Sequence, residues 1–260
     1  MSLVDPRAIA ELQAQVRAGA DTVDRSALDA IGEVDDSVVT VGAGVSCGAV
    51  EELAAPWLFA SDRPDSTVAD WIGCGCGDLL WDLLGPTRAQ VLGVRAVLKD
   101  GSLVRFGGRV VKNVAGYDLT RAFVGAGNRL GFVVEATLRL RPAPRGWHAA
   151  ISRDTPWHEA RAAPGSAVWN GDTVLFLRAG ESAPAGYQAC DPDTARRALR
   201  DAWGQVRTVC ALDETGGRVP QPGDVFLAGV NRIGTRAESV ERTGPLWDRL
   251  EAALSGTAKR

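Results

Sequence analysis

The sequence predicts an α+β protein in two units, and three observations carry that prediction. Asp5-Pro6 opens a helix whose Ile9, Leu12 and Val16 fall on one face. Asp100-Gly101 stands between two apolar runs, 91–98 and 103–106, the signature of an antiparallel hairpin. From Gly131 the pattern alternates: Phe132, Val134, Ala136, Leu138 and Leu140 share one face, and Glu135, Thr137, Arg139 and Arg141 the other. Pro142 is expected to stop that strand. The segment Pro142–Gly146, with two prolines and a glycine, then reads as a boundary between units 1–142 and 147–260.

The remaining elements follow in order. Helix one runs from Pro6 toward Gly19, with Asp5 as its cap. Ser37–Val41 is a short β-branched strand, followed by a turn at Gly42-Ala43-Gly44 and a helix over about Gly48–Ala54. Residues 56–88 hold three prolines, three tryptophans (Trp57, Trp71 and Trp81) and the run Gly73-Cys74-Gly75-Cys76-Gly77, and read as loops with one or two helical turns. In the second unit a strand is expected at Val174–Leu177, a helix from Asp191-Pro192 to about Trp203, a strand near Val225–Val230, and a helix opened by Pro245.

Composition narrows the chemistry. The 260 residues are 45% hydrophobic, enough for a substantial core. Twenty-nine basic residues against 32 acidic ones give a net charge of -3, with no basic excess to favour nucleic acid. Asp5 and Pro6 stand where a signal peptide would need a basic stretch and an apolar run, so a soluble cytoplasmic protein is expected. Five cysteines, an odd number in a chain of this size, are expected to be reduced thiols. Histidine occurs only at His148 and His158, which leaves little material for a histidine-based zinc site or a Ser-His-Asp triad. Chemistry borrowed from a cofactor is the reading that remains.

Three motifs could hold a ligand. Gly42-Ala43-Gly44 through Gly48 lies between strand and helix, as a nicotinamide-binding turn would, but its G-x-G-x-x-x-G spacing and the helix cut short by Pro56 favour a structural turn. Gly73–Gly77 brings two thiols and three glycines together. That run suits a soft metal, a backbone that approaches a bulky ligand and offers amides to phosphate, or a plain loop. Lys112-Asn113-Val114-Ala115-Gly116-Tyr117-Asp118 gathers a cation, an amide, a phenol and a cap ahead of a helical run. Lys112 or Arg109 could meet a carboxylate or phosphate, or simply be solvated.

The run from Gly107 to Pro142, GGRVVKNVAGYDLTRAFVGAGNRLGFVVEATLRLRP, resembles the FAD-binding subunit of bacterial glycolate oxidase. This is one of the FAD-linked oxidases with the vanillyl-alcohol-oxidase, or PCMH-type, flavin fold. Ala30–Gly48 and Val91–Gly101 resemble the same family more loosely. The resemblance implies a shortened PCMH-type domain over 1–142, a small α+β unit over 147–260, and noncovalent FAD. The implied FAD contacts are Gly73, Cys74, Gly75, Cys76, Gly77, Gly127, Gly131 and Val133, with Lys112, Asn113, Gly116, Tyr117 and Asp118 toward the flavin. Only Ala20, Asp21 and Thr22 stand where the family has a further strand and a glycine-rich diphosphate loop, so that loop is expected to be missing. The implied function is a subunit of an FAD-dependent oxidoreductase complex that oxidises a small hydroxy or amino acid. The alternative is a pseudo-flavoprotein that has lost FAD and supports an intact flavin subunit. Neither reading assigns a catalytic residue.

Overall fold

The computed structural model describes residues 3–59, 63–75, 81–109, 119–154, 159, 166–169, 174–179, 188–203, 208–211, 225–227 and 232–235. These form two compact units. Described residues up to 75 and from 87 to 142 belong to the first, and those from 81 to 86 and from 143 to 235 to the second. The helix expected from Pro245 lies outside the described residues.

The first unit is built on a four-stranded antiparallel sheet of order β1-β5-β3-β4, where β1 is Val38–Gly42, β3 Val91–Leu98, β4 Leu103–Gly107 and β5 Gly131–Arg139. The β3-β4 pair is the expected hairpin, and Gly101 turns it with φ +80°. Helix α1 (Pro6–Arg17) opens as its sequence indicates: Asp5 accepts a bond from the amide of Arg7 at 2.8 Å, and Ile9, Leu12 and Val16 are buried. Helix α2 (Cys47–Ala54) is capped by Ser46, whose hydroxyl accepts from the amide of Ala49. Between α1 and the bridge at Ile31 the chain forms no strand.

Strand β5 departs from its pattern. The alternation predicts one wet face, yet both faces are covered, and Glu135 and Thr137 are buried. The polar face is satisfied from within. The amide of Leu3 donates to Glu135 Oε2 at 2.9 Å, and the hydroxyls of Thr40 and Thr137 meet at 3.2 Å. Because Glu135 and Thr137 are withdrawn from water, their polar side chains need such internal partners. Nor does Pro142 simply end the strand: Arg141–Pro142 (β6) pairs with Trp57–Leu58 (β2) in a two-stranded ladder.

The 56–88 region is more ordered than expected. It contains α3 (Val68–Cys74), α4 (Trp81–Leu84, in the second unit) and α5 (Thr87–Gln90), and α6 (Thr120–Phe123) follows between β4 and β5.

The second unit holds a seven-stranded antiparallel sheet of order β10-β7-β9-β8-β12-β13-β11. Its strands are β7 (Trp147–Ser152), β8 (Ser166–Trp169), β9 (Val174–Ala179), β10 (Gln188–Cys190), β11 (Thr208–Ala211), β12 (Val225–Leu227) and β13 (Arg232–Thr235). Helix α7 (Pro192–Trp203) packs on β9 and β7. Asp191 caps it by accepting from the amide and hydroxyl of Thr194, at 2.8 and 2.6 Å, and these bonds hold the Asp191 carboxyl below its usual range. Strands β7, β8, β10, β11 and β13 are short and carry no clear alternation. Sequence reading found only β9, α7 and the start of β12.

Candidate functional site: a glycine crossing with an arginine beside it

Two of the predicted ligand segments meet through their glycines. Helix α3 begins at a reciprocal cap, in which Thr67 Oγ1 accepts from the amide of Asp70 and donates to Asp70 Oδ2 at 2.8 Å. It ends at Gly75, which takes the left-handed conformation (φ +59°) and donates its amide to the carbonyl of Trp71. The run 73–77, expected as a loop, is therefore helical through Cys74, because a cap and a left-handed glycine bound a genuine helix. The loop after Phe123 crosses this helix end. The Gly125 amide donates to the carbonyl of Ile72 at 2.8 Å, and the Gly127 amide to that of Gly73 at 3.0 Å. A Cβ on Gly73 would lie 3.3 Å from the Gly127 Cα, and one on Gly75 would lie 2.7 Å from the Gly125 nitrogen. The crossing exists because side chains are absent on both sides.

Gly127 differs from its neighbours. It also has a left-handed φ of +58°, but nothing lies within 4 Å of where its Cβ would stand. Its outer side is open to close approach. The next residue, Asn128, accepts a bond at 2.7 Å from Nη2 of Arg25, a residue that sequence reading did not single out. The Arg25 guanidinium carbon lies 5.6 Å from the centre of the Phe132 ring, and Lys99 Nζ lies 4.7 Å from the same centre. Arg25 Nε is shut off from solvent and, among the described residues, has no hydrogen-bond partner. Burial pulls the guanidinium below its ordinary value, and the charge of Asp70 opposes that pull. No local signal marks Arg25, because its partners lie about 100 residues away in sequence.

The backbone of the same segment closes the first glycine motif. The amide of Gly42 donates to the carbonyl of Ala30, that of Ala43 to Val134, and that of Gly44 to Leu28. A Cβ on Gly44 would strike the carbonyl of Arg25, and one on Gly42 that of Leu28. These glycines admit the chain's own residues 25–30, so the turn has no free donor for a dinucleotide.

The other predicted residues are distributed as follows. Gly131 opens β5 beside Leu98, where a Cβ would meet the carbonyl of Val97. Val133 pairs with Ala96, and its side chain is buried in the core. Cys74 is exposed, with Arg63 Nη1 donating toward its sulfur at 3.6 Å. Arg109 forms an exposed ion pair with Asp35 at 3.2 Å. Cys76, Gly77, Lys112, Asn113, Gly116, Tyr117 and Asp118 lie outside the described residues. Two residues after Asp118 stands Thr120, whose hydroxyl is buried against Gly107 with no hydrogen-bond partner among the described residues.

Comparison with known proteins bears on these residues. Residues 10–107 match the FAD binding domain family. The chain is 38% identical over 119 residues to the glycolate oxidase subunit GlcD of Bacillus subtilis, covering 43% of this chain and 25% of that protein. It is 32% identical over 123 residues to the glycolate oxidase subunit GlcE of Escherichia coli, covering 44% and 35%. It is also 38% identical over 99 residues to a D-2-hydroxyglutarate dehydrogenase of Stutzerimonas stutzeri, covering 38% and 21%. The chain thus spans about a fifth to a third of the length of these relatives. Among the described residues no helix is long and apolar enough to cross a membrane. Residues 10–107 match an FAD binding domain, a match that supports FAD as the cofactor, on a chain that resembles the FAD-linked oxidases of the glycolate oxidase type.

Proposed function

We propose that this chain is the flavin-binding part of an oxidoreductase that oxidises a small hydroxy acid and works with further protein subunits. The observation that carries the reading is the glycine crossing of 73–75 with 125–127. It lies on the segments that the family resemblance assigns to FAD, and it leaves Gly127 open beside a half-buried arginine whose Nε has no acceptor among the described residues. The relatives, glycolate oxidase subunits and a D-2-hydroxyglutarate dehydrogenase, suggest the substrate class.

The residues present suit FAD in shape and charge. Gly127 lets a flat or anionic group reach the backbone, and Arg25 offers unengaged N–H donors. FAD, when bound, would supply the two-electron oxidant that converting a hydroxy acid to its oxo acid requires. The chain's own part is to position and shield. The buried sheet fixes the ends of the 124–131 loop, and the glycine contacts fix its middle.

A second reading, the pseudo-flavoprotein that supports an intact flavin subunit, draws on the engaged amides. Those of Gly42, Gly44, Gly75, Gly125 and Gly127 all donate to the chain's own carbonyls, so these turns offer a diphosphate no donor.

One experiment separates the two. The full chain, purified alone and with its co-purifying subunits, is titrated with FAD and followed by flavin absorbance, then mixed with glycolate, D-lactate or D-2-hydroxyglutarate. Bound flavin that bleaches with one of these acids is the expected result. A preparation that takes up no FAD in either form would sink the first reading and leave the second.

A further inference from the structure

We propose that Arg25 is the phosphate-binding cation of this chain's flavin site, held at the glycine crossing by Asn128 to receive the FAD diphosphate. The inference rests on the FAD reading above and adds a residue to it.

The glycine turns supply no amide for an anion, since each described turn amide named above is engaged by backbone. A diphosphate at this crossing must therefore find its donors on side chains. Arg25 presents five N–H groups in a planar fork. Among the described residues only Asn128 Oδ1 takes one of them, at 2.7 Å, and Nε has no acceptor. Arg25 is half-buried, with its Nε shut off from solvent, and a buried donor without an acceptor is costly unless a ligand completes it. The nearby carboxylate, Asp70, acts on Arg25 through space, while its own Oδ2 accepts from Thr67. Lys99, over the same Phe132 ring, adds a second positive charge. The group that fits is therefore anionic, with several oxygens able to accept from a fork, and it must approach a backbone that carries no Cβ. Gly127, adjacent in sequence to Asn128, provides that approach.

A substrate carboxylate has related chemistry, so the test separates the two sources. The full chain and its Arg25→Met and Asn128→Asp variants are titrated with FAD, ADP and riboflavin. Asn128→Asp keeps an acceptor at the same place but sets a carboxylate against the guanidinium, which protects the test should Arg25→Met fold poorly. Both variants are expected to bind FAD and ADP about ten-fold or more weakly, as loss of a charge-assisted contact implies, with riboflavin affinity unchanged. Glycolate is expected not to displace ADP. Unchanged FAD and ADP affinity in both variants, or an equal loss for riboflavin, would overturn the proposal while leaving the FAD reading intact. ADP displaced by glycolate in the unmodified chain, but not in Arg25→Met, would reassign Arg25 to the substrate. A chain that binds neither FAD nor ADP would take both readings down together.

Discussion

Strand β5 and the glycine crossing are held together by opposite means. Along β5, side chains fill space: Phe132, Val134, Ala136 and Leu138 are fully buried, and even the polar residues find internal partners. At the crossing, space is left empty of side chains so that two backbones can meet, with Gly73 against Gly127 and Gly75 against Gly125. The first region should therefore suffer from lost atoms and the second from added ones.

The largest effect is expected at Phe132→Ala. It removes a fully buried ring over which Arg25 and Lys99 both sit, and should lower unfolding free energy by about 3–5 kcal/mol in a denaturant titration. A loss under about 1 kcal/mol would mean that the strand is less packed than described. Adding a single methyl at the crossing, Gly75→Ala, should cost about 3 kcal/mol, from left-handed strain and from overlap with the Gly125 backbone. Gly127→Ala sharpens the contrast. It carries the same left-handed strain into open space, so a cost of about 1 kcal/mol is expected, together with weaker FAD uptake if a ligand approaches there. Equal destabilisation by the two alanines would break the comparison, because it would remove the role of close contact. Asp5→Ala, which deletes the cap of α1, should cost about 1 kcal/mol and leave the crossing untouched.

The same contrast explains what sequence could reveal. The α1 cap and its Ile9-Leu12-Val16 face, the Asp100-Gly101 hairpin and the body of β5 are written in neighbouring residues, where local geometry and hydrophobic period act directly. The covering of Glu135 and Thr137 is not, since Leu3 and Thr40 reach them across 132 and 97 residues. Helix α3 did carry a local sign, because Thr67 and Asp70 form a Thr-x-x-Asp start, but the abundance of glycine after Ile72 suggested a loop instead. In the candidate site, Gly73, Gly75 and Gly127 stood out as glycines without any hint that they touch. Arg25 gave no sign at all, because its significance depends on Asn128 and Phe132 being folded against it.

The smallest expected effect lies at the hairpin turn and concerns pH. The side chain and amide of Ser102 hold the Asp100 carboxyl below its ordinary value of 3.8, the amide donating to Oδ1 at 2.8 Å, and Arg17 adds a weaker pull in the same direction. A carboxyl whose folded value is depressed stabilises the fold above its unfolded value, and that contribution fades as pH falls through the folded one. The stability gap between the parent chain and Asp100→Ala should therefore be constant from pH 7 to about 5 and narrow below the ordinary aspartate range. Chemical denaturation at a series of pH values measures it. Because Asp100 is largely exposed, the gap itself should be small and should shrink with salt. A gap that widened toward acid would show that the turn is held by backbone geometry at Gly101 and that the Asp100 charge works against it.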